Sequence, residues 1–313
     1  MSTWTCPACP SVATSRSAGS AATGASQAGS DLPSLRPRSN LMTDFTFDTP
    51  EPVQLYVENG SGGIDVTAAD VAQTEVRIEG KHADQVQVVH DRGHVSVIAP
   101  KTRGLFGDQK LDMDIVVPTD SSVVAKSGSA DVRVSGQVAA VKVKSGSGDV
   151  SLERVTGSGS IDTGSGDVAL VEAAGELRVR SGSGDIAAEI LAAATSISTG
   201  SGDIRVERAA GPVVVKTGSG DLDIAHAEAD VTMTTGSGDT LIRQASRGRI
   251  TSKGASGDVR IGVPVGTPVW TDISTVTGTV SSGLEGVGEP EPGADFVEVR
   301  ANTVSGDVHL VPA

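Results

Sequence analysis

The sequence predicts an all-β protein, a single-domain β-solenoid of the β-helix type with 18-residue coils, two short strands per coil and a cap at each end. Three observations lead to this prediction. A Gly-Ser-Gly-Asp motif recurs at constant spacing, each repeat carries two pairs of apolar residues at the β-strand period, and aromatic side chains are scarce. Small Val, Ile, Leu and Ala side chains suit the thin interior of such a stack better than large rings do.

The repeat is marked by an aspartate that follows a turn of small residues. Six equal steps of 18 residues separate the first seven of these aspartates, and an eighth follows after 19 residues. They are Asp131, Asp149, Asp167, Asp185, Asp203, Asp221, Asp239 and Asp258. Glycine fits such a turn because it adopts positive φ without steric cost, and the aspartate that follows can accept backbone N–H bonds.

Two short strands are predicted in each repeat. Apolar residues occupy the first and third positions after the aspartate, as in Val150 and Leu152, and again the tenth and twelfth positions, as in Leu177 and Val179. This alternation gives each strand one buried face. Hairpin arrays also contain short alternating strands, but the constant period favours coils stacked about 4.8 Å apart. A helix is excluded because the apolar spacing lacks the i, i+3, i+4 pattern.

The composition argues against several classes of protein. A formal net charge of −14 makes nucleic acid or an anionic membrane surface an unfavourable partner, because both need clustered Lys and Arg. Glycine does not occupy every third position, so the chain is not a collagen. No apolar run approaches the roughly 18 residues of a membrane span, and no membrane insertion is expected. The two cysteines, Cys6 and Cys9, are too few for a zinc site.

The chain divides into four segments. Residues 1–42 lack apolar periodicity and are predicted to be a disordered tail, with Met42 as a candidate for the true start of translation. Residues 43–117 are assigned to an N-terminal β cap, 118–258 to the regular solenoid, and 259–313 to C-terminal β-coils and a cap. Because no signal peptide, membrane span or wall anchor is evident, we expect a cytoplasmic location.

The chain resembles the bacterial "putative adhesin" family of β-solenoid domains, whose function is unknown. The likeness is carried by Phe47-Asp48-Thr49-Pro50, by Val117-Pro118, and by Ser-Gly-Asp steps that recur up to Ser305-Gly306-Asp307-Val308. It covers residues 43–313. The resemblance implies the same fold and, through the family label, a cell-surface location as the alternative to the cytoplasm. It implies no catalytic residues.

The recurring aspartates are the most visible candidate site. In stacked coils their carboxylates would recur about every 4.8 Å, and each neighbouring pair would repel by about 0.9 kcal/mol in water. We expect hydrogen bonds within the turns to offset this repulsion. The alternative is a calcium ladder, because calcium-binding β-rolls also carry aspartates in glycine-rich repeats. Its ligands would be Asp149, Asp167, Asp185, Asp203, Asp221 and Asp239. No other metal or cofactor is predicted.

A column of Ser and Thr lies four residues before the aspartates. We expect its hydroxyls to bond neighbouring backbone at the corner, although flat threonine ladders also occur on ice-binding solenoids. Its members are Ser145, Thr163, Ser181, Thr199, Thr217 and Thr235.

Catalysis is not predicted. Acid–base chemistry needs two carboxylates in different environments, whereas near-identical corners provide near-identical ones. We therefore predict a non-enzymatic, adhesin-like binding domain that presents a polar, repetitive surface to a protein or glycan partner. The alternatives are an intracellular scaffold that self-associates through its ends or edges, and a carbohydrate-active enzyme. The predicted outward residues include Lys142, Lys144, Arg178, Arg180, Arg205 and Glu207.

Overall fold

Two long β-sheets face each other across one continuous apolar core in the computed structural model, which describes residues 41–100, 110–286 and 295–313. Within these residues, sheet A has 14 strands and sheet B has 13. Each regular coil contributes one strand to each sheet, parallel to its neighbours in the coils on either side. The sequence-based prediction of an all-β, single-domain, solenoid-like fold is confirmed.

The N-terminal strands build one end of the stack. They are β1 (Leu41–Asp48), β2 (Gln54–Asn59), β3 (Gly62–Ala69), β4 (Gln73–Gly80), β5 (Gln87–Asp91), β6 (His94–Ile98) and β7 (Leu111–Pro118). Strands β2 and β3 form a coil parallel to β6 and β7, which lie further out. Strands β4 and β5 then run antiparallel along the outer edges of β7 and β6, and β1 pairs antiparallel with β4. This end of the stack is therefore covered by antiparallel strands.

The predicted hairpin turn at Asp91-Arg92-Gly93 joins β5 to β6. Arg92 and Gly93 have φ angles of 47° and 78°, as a tight turn between antiparallel strands requires. Strand β1 begins at Leu41, so the last two residues of the predicted tail, Leu41 and Met42, lie in a strand. The rest of the predicted tail, with Cys6 and Cys9, lies outside the described residues.

The regular coils run from β8 to β23. In sheet B their strands are β8 (Ser122–Ser127), β10 (Ala140–Ser145), β12 (Gly159–Thr163), β14 (Leu177–Ser181), β16 (Thr195–Thr199), β18 (Val213–Thr217), β20 (Val231–Thr235) and β22 (Gly248–Gly254). In sheet A they are β9 (Asp131–Val138), β11 (Val150–Val155), β13 (Val168–Ala173), β15 (Ile186–Leu191), β17 (Ile204–Ala209), β19 (Leu222–Ala227), β21 (Thr240–Ala245) and β23 (Val259–Val263). Equivalent residues of successive coils lie opposite each other, so both apolar pairs of each repeat enter the core.

One glycine occupies an inward column that is otherwise filled by side chains. Gly159 lies opposite Val141 in the coil before it and Leu177 in the coil after it. A Cβ at Gly159 would lie 2.7 Å from Cδ1 of Leu177. The leucine therefore fills the space that the glycine leaves, and the column stays packed despite the apparent gap in the sequence pattern.

The C-terminal coils are not stacked in sequence order. Their strands are β24 (Val269–Thr275), β25 (Val280–Ser282), β26 (Val297–Thr303) and β27 (Val308–Pro312). Strand β26 lies between β22 and β24, and β27 lies between β23 and β25. The coil that comes last in the sequence is thus inserted beneath the one before it. The proline-rich segment that connects them falls within residues 287–294, outside the described residues.

A cluster of charges binds the inserted coil to its neighbours. Glu298 of β26 accepts hydrogen bonds of 2.6 Å from Arg249 of β22 and 2.7 Å from Arg300 on its own strand. The guanidinium of Arg300 lies 5.5 Å from the ring centre of Trp270 on β24. The hydrogen bond from Arg249, assisted by Arg300, lowers the pKa of Glu298 below its usual value. Strands β22, β26 and β24 are therefore connected across the sheet by side chains as well as by backbone.

Candidate functional site

The recurring aspartates form a continuous column at one corner of the stack. Oδ1 of each aspartate accepts the backbone N–H of the aspartate one coil further on. The bond from the Asp203 N–H to Asp185, for example, measures 2.9 Å. The turn thereby places a donor beside every carboxylate, and charge-assisted bonds of this type are stronger than neutral ones.

The column continues through the inserted coil. Asp258 accepts the N–H of Asp307, although 49 residues separate the two in sequence. Asp307 in turn accepts the N–H of Thr279, which occupies the equivalent corner of the outermost coil. The motif at Ser305-Gly306-Asp307 thus joins the column at the position that the stacking order gives it.

The calcium ladder, the alternative interpretation of the aspartate column, stays a prediction. Calcium takes six to eight oxygen ligands, and successive carboxylates here already accept backbone N–H groups. In the described ranges, no group of three or more His, Cys, Asp or Glu side chains is arranged to hold a metal ion. Calorimetric titration with millimolar Ca²⁺ tests this alternative directly.

Removing one carboxylate from the column should have a modest and specific effect. We expect Asp185→Ala to lower the free energy of unfolding by about 1 kcal/mol, because the N–H of Asp203 loses its acceptor. Asp185→Asn keeps an acceptor oxygen and relieves repulsion between neighbouring carboxylates but loses the charge assistance of the bond, so its loss of stability should be smaller than that of Asp185→Ala. Urea unfolding of the two variants checks this. Equal losses in both would show that charge, rather than the hydrogen bond, matters at the corner.

The Ser and Thr column lies at the same corner and is largely turned inward. Thr163, Thr199, Thr217 and Thr235 are buried. Oγ1 of Thr217 accepts the N–H of Gly220 at 2.8 Å, and the same bond recurs at Thr235 and Gly238. These hydroxyls bond the turn backbone and do not form a flat, outward ladder.

The outward polar residues singled out in the sequence do not share one face. Lys142, Lys144, Arg178 and Arg180 lie on the outer face of sheet B. Arg205 and Glu207 lie on the outer face of sheet A. The structure thus presents two different polar surfaces, one on each side of the core.

A groove of about 780 Å³ runs along the outer face of sheet A across strands β9 to β21. We call it the sheet A groove. Its lining includes Ser151, Ala169 and Ala187, which lie opposite one another on successive strands. Because these side chains are short, they leave room for a ligand to approach the sheet backbone. Their role was missed in the sequence, although the run of small residues at one outward position could have indicated it.

The strands that line this groove depart from strict alternation. In β17, for example, Glu207 and Arg208 are consecutive and both exposed, before Ala209 returns to the core. The same break recurs in β11 at Glu153 and Arg154. Each such strand therefore presents two charged or polar columns beside the small-residue column.

Most arginines on this face are paired with acids on neighbouring coils. Arg154 contacts Glu172 at 3.3 Å, and Arg243 contacts Asp223 at 2.6 Å. At the N-terminal end of the groove Arg133 lies 3.5 Å from Asp65. Partial burial raises the pKa of Asp65 above its usual value, with Arg133 acting in the opposite direction. The groove thus combines small side chains with nearly balanced charges.

Comparison with known protein families decides where this fold belongs. The family model described as Toastrack DUF4097 matches residues 53–311. The chain belongs to the Toastrack family. The match includes the coils that carry the aspartate column and the sheet A groove, and it confirms the family resemblance found in the sequence. Among curated proteins, none matches this Toastrack chain.

Several solved structures are similar to this Toastrack domain. A "putative adhesin" from Bacteroides fragilis NCTC 9343 is 14% identical, with a TM-score of 0.37, and the match covers 88% of this chain and 99% of that one. A "putative adhesin" from Parabacteroides merdae ATCC 43184 is 11% identical, with a TM-score of 0.38 and coverage of 86% and 96%. A "putative lipid binding protein" from Parabacteroides distasonis ATCC 8503 is 13% identical, with a TM-score of 0.36 and the same coverage.

Within the ranges that the structure describes, no helix has the length and apolar character needed to cross a membrane.

Proposed function

We propose that this Toastrack domain is a non-enzymatic, adhesin-like binding module that holds a protein or glycan partner in the sheet A groove. The observation that carries the proposal is the groove itself, which crosses several coils at one outward position. A rigid stack presents such a surface without reordering on binding, which lowers the entropic cost of association.

The side chains that line the sheet A groove are suited to binding a polar ligand. Exposed Ala169 and Ala187 admit a flat or extended ligand, and the flanking Glu189, Arg205 and Glu207 offer both hydrogen-bond donors and acceptors. Because carboxylates and guanidiniums along this face partly neutralise one another, the surface favours polar contacts over capture of a single charge type.

Filling the groove should abolish this binding. We expect the double variant Ala169→Trp, Ala187→Trp to bind its ligand at least tenfold more weakly on a glycan array, because two indoles would occupy the space of the ligand. The control is Thr234→Trp, an exposed position on the opposite sheet. For a protein partner, a photo-crosslinker placed at residue 187 should capture it, and one at residue 234 should not. Glycan binding or crosslinking that is the same in the groove and control proteins would contradict the proposal.

A second candidate is self-association through the C-terminal end of the stack. Strands β24 and β25 are the outermost strands at this end among the described residues, and no antiparallel strand covers them as at the other end. The exposed fraction is 51% for Trp270, 75% for Val276 and 48% for Val280. Open strand edges with apolar side chains favour pairing with another chain. Sedimentation velocity at increasing concentration tests this candidate, and a monomer at every concentration would contradict it.

The cytoplasmic location expected from the sequence stays a prediction, and the surface location implied by the family label is its alternative. Fractionation of native cells distinguishes them.

A further inference from the structure

Basic residues that are distant in the sequence lie together on the outer face of sheet B. Strands β8, β10, β12 and β14 place five exposed basic side chains on this face, and Asp162 is the one acid among the outward residues of these strands. We call these residues the basic face: Lys126, Lys142, Lys144, Arg178 and Arg180. The protein as a whole carries a formal net charge of −14, so this local excess is opposite in sign to the total.

Two cations of the basic face have no acid directly opposite them, because Lys142 and Arg178 both lie opposite Ser160. Of the others, Lys144 and Arg180 lie opposite Asp162, and Lys126 lies opposite Glu58. On sheet A, Arg133, Arg154 and Arg243 each lie within 3.5 Å of a carboxylate. On the basic face Arg180 approaches Asp162 only to 3.9 Å.

Three of the basic side chains have no hydrogen-bond or ion-pair partner among the described residues. In the described part of the chain, no hydrogen bond or ion pair involves the side chains of Lys142, Lys144 or Arg178. Lys126 lies 5.1 Å from the ring centre of Tyr56 and directly opposite Lys144 on the neighbouring strand. Like charges placed opposite each other in a sheet destabilise it. The neighbouring acids Asp162 and Glu58 offset part of this repulsion, but folding does not account for the charges of Lys142 and Arg178.

The spacing of these cations is set by the sheet. Neighbouring coils lie about 4.8 Å apart, and two residues on the same face of one strand lie about 6.7 Å apart. Lys142 and Lys144 are such a pair, and Arg178 and Arg180 are the same pair two coils further on. A linear polymer with repeating negative charges could contact several of them at once.

We propose that the basic face is a binding site for an anionic polysaccharide, separate from the sheet A groove. Electrostatic screening at physiological salt acts over about 8 Å, so a ligand on this face senses the local cations more than the distant acids.

Two other anionic partners fit this face less well. Single-stranded nucleic acid is usually held by exposed aromatic side chains that stack on its bases, and strands β8 to β14 contain none. The adjacent Tyr56 donates its hydroxyl hydrogen to Glu58. An anionic membrane surface would favour large apolar side chains beside the cations, and among the described residues none on these four strands is strongly exposed.

The test compares two variants with the same change in net charge. In the basic-face variant, Lys142, Lys144, Arg178 and Arg180 are replaced by serine, which the neighbouring coils already carry at Ser160, Ser196 and Ser198. The matched control replaces by serine four exposed basic residues that lie outside both the basic face and the lining of the sheet A groove, namely Arg77, Arg208, Arg247 and Arg260. Thermal unfolding followed by circular dichroism verifies that both variants are folded.

Binding to polygalacturonate, a polymer of carboxylated sugars, is measured by biolayer interferometry with neutral dextran as the reference. We expect the full-length protein to bind polygalacturonate and not dextran, and to lose at least about tenfold in affinity between 50 and 200 mM salt. The basic-face variant should bind at least tenfold more weakly at 50 mM salt. The control variant and the groove-filling variant Ala169→Trp, Ala187→Trp should bind like the wild type, which separates this site from the groove.

Three results would overturn the proposal. One is the absence of polygalacturonate binding at 50 mM salt. Another is an equal loss in the basic-face and control variants, which would indicate a general effect of charge. The third is tighter, basic-face-dependent binding to double-stranded DNA or to phosphatidylglycerol vesicles, which would assign the face to a different class of partner.

Discussion

Replacing Gly184 by alanine should destabilise the protein by about 3 kcal/mol or more. A Cβ at this position would lie 2.1 Å from the backbone carbonyl oxygen of Gly166 in the coil below. The obstacle is backbone rather than a movable side chain, so the coils must separate or the turn must distort. Both responses would also disturb the hydrogen bond between Asp185 and Asp167. Urea unfolding followed by circular dichroism measures the loss.

The chain offers a matched control for this change. Gly60 lies at the same corner near the N-terminal end, in the glycine column two residues before that of Gly184, and a Cβ there would meet no atom of the described residues within 4 Å. We expect Gly60→Ala to change the free energy of unfolding by less than about 0.5 kcal/mol. If Gly184→Ala were as mild as Gly60→Ala, the coils would not be stacked as closely as described.

The second large loss of stability is expected from a substitution in the core. Ile197 is 1% exposed and lies between Val179 and Val215 of the adjacent coils. We expect Ile197→Ala to lower the free energy of unfolding by about 2–5 kcal/mol, because the stack cannot close around the cavity without losing register. The same urea titration applies, and Ser198→Ala, on the outward side of the same strand, should be nearly neutral.

Hydrogen exchange can show where this loss occurs. In a solenoid each coil contacts only its neighbours, so protection in Ile197→Ala should fall first in β14, β16 and β18. A uniform fall across the whole chain would contradict this local effect and indicate one cooperative unit.

The regular coils were predictable because their signal is repeated. The spacing of Asp149, Asp167 and Asp185 fixed both the period and the alignment of the apolar columns, and the structure pairs those coils in that register. The turn at Asp91-Arg92-Gly93 was predictable from local residue chemistry alone. These features depend on contacts within one coil or between coils that are adjacent in sequence.

The order of the terminal coils was not predictable in this way. Stacked coils with similar apolar columns are nearly interchangeable, so no side-chain pattern showed that β26 inserts beneath β24. The sheet A groove depends on the break in alternation at residues such as Glu207 and Arg208, which looks like ordinary polar sequence. The basic face was not predictable from the net charge of −14, because a total charge does not show that Lys142 and Arg178 lie on the same face, on either side of Ser160.

The inserted coil at the C-terminal end limits how this protein can change in length. Deleting residues 297–313 would not shorten the rod from its tip but would remove an interior layer and leave β24 and β25 without support. At the other end, β6 and β7 likewise lie further out than β2 and β3, although the chain returns to the inner strand β8 after them. We therefore expect whole 18-residue units to be gained or lost only between the two ends, where each unit meets near-copies of itself on both sides.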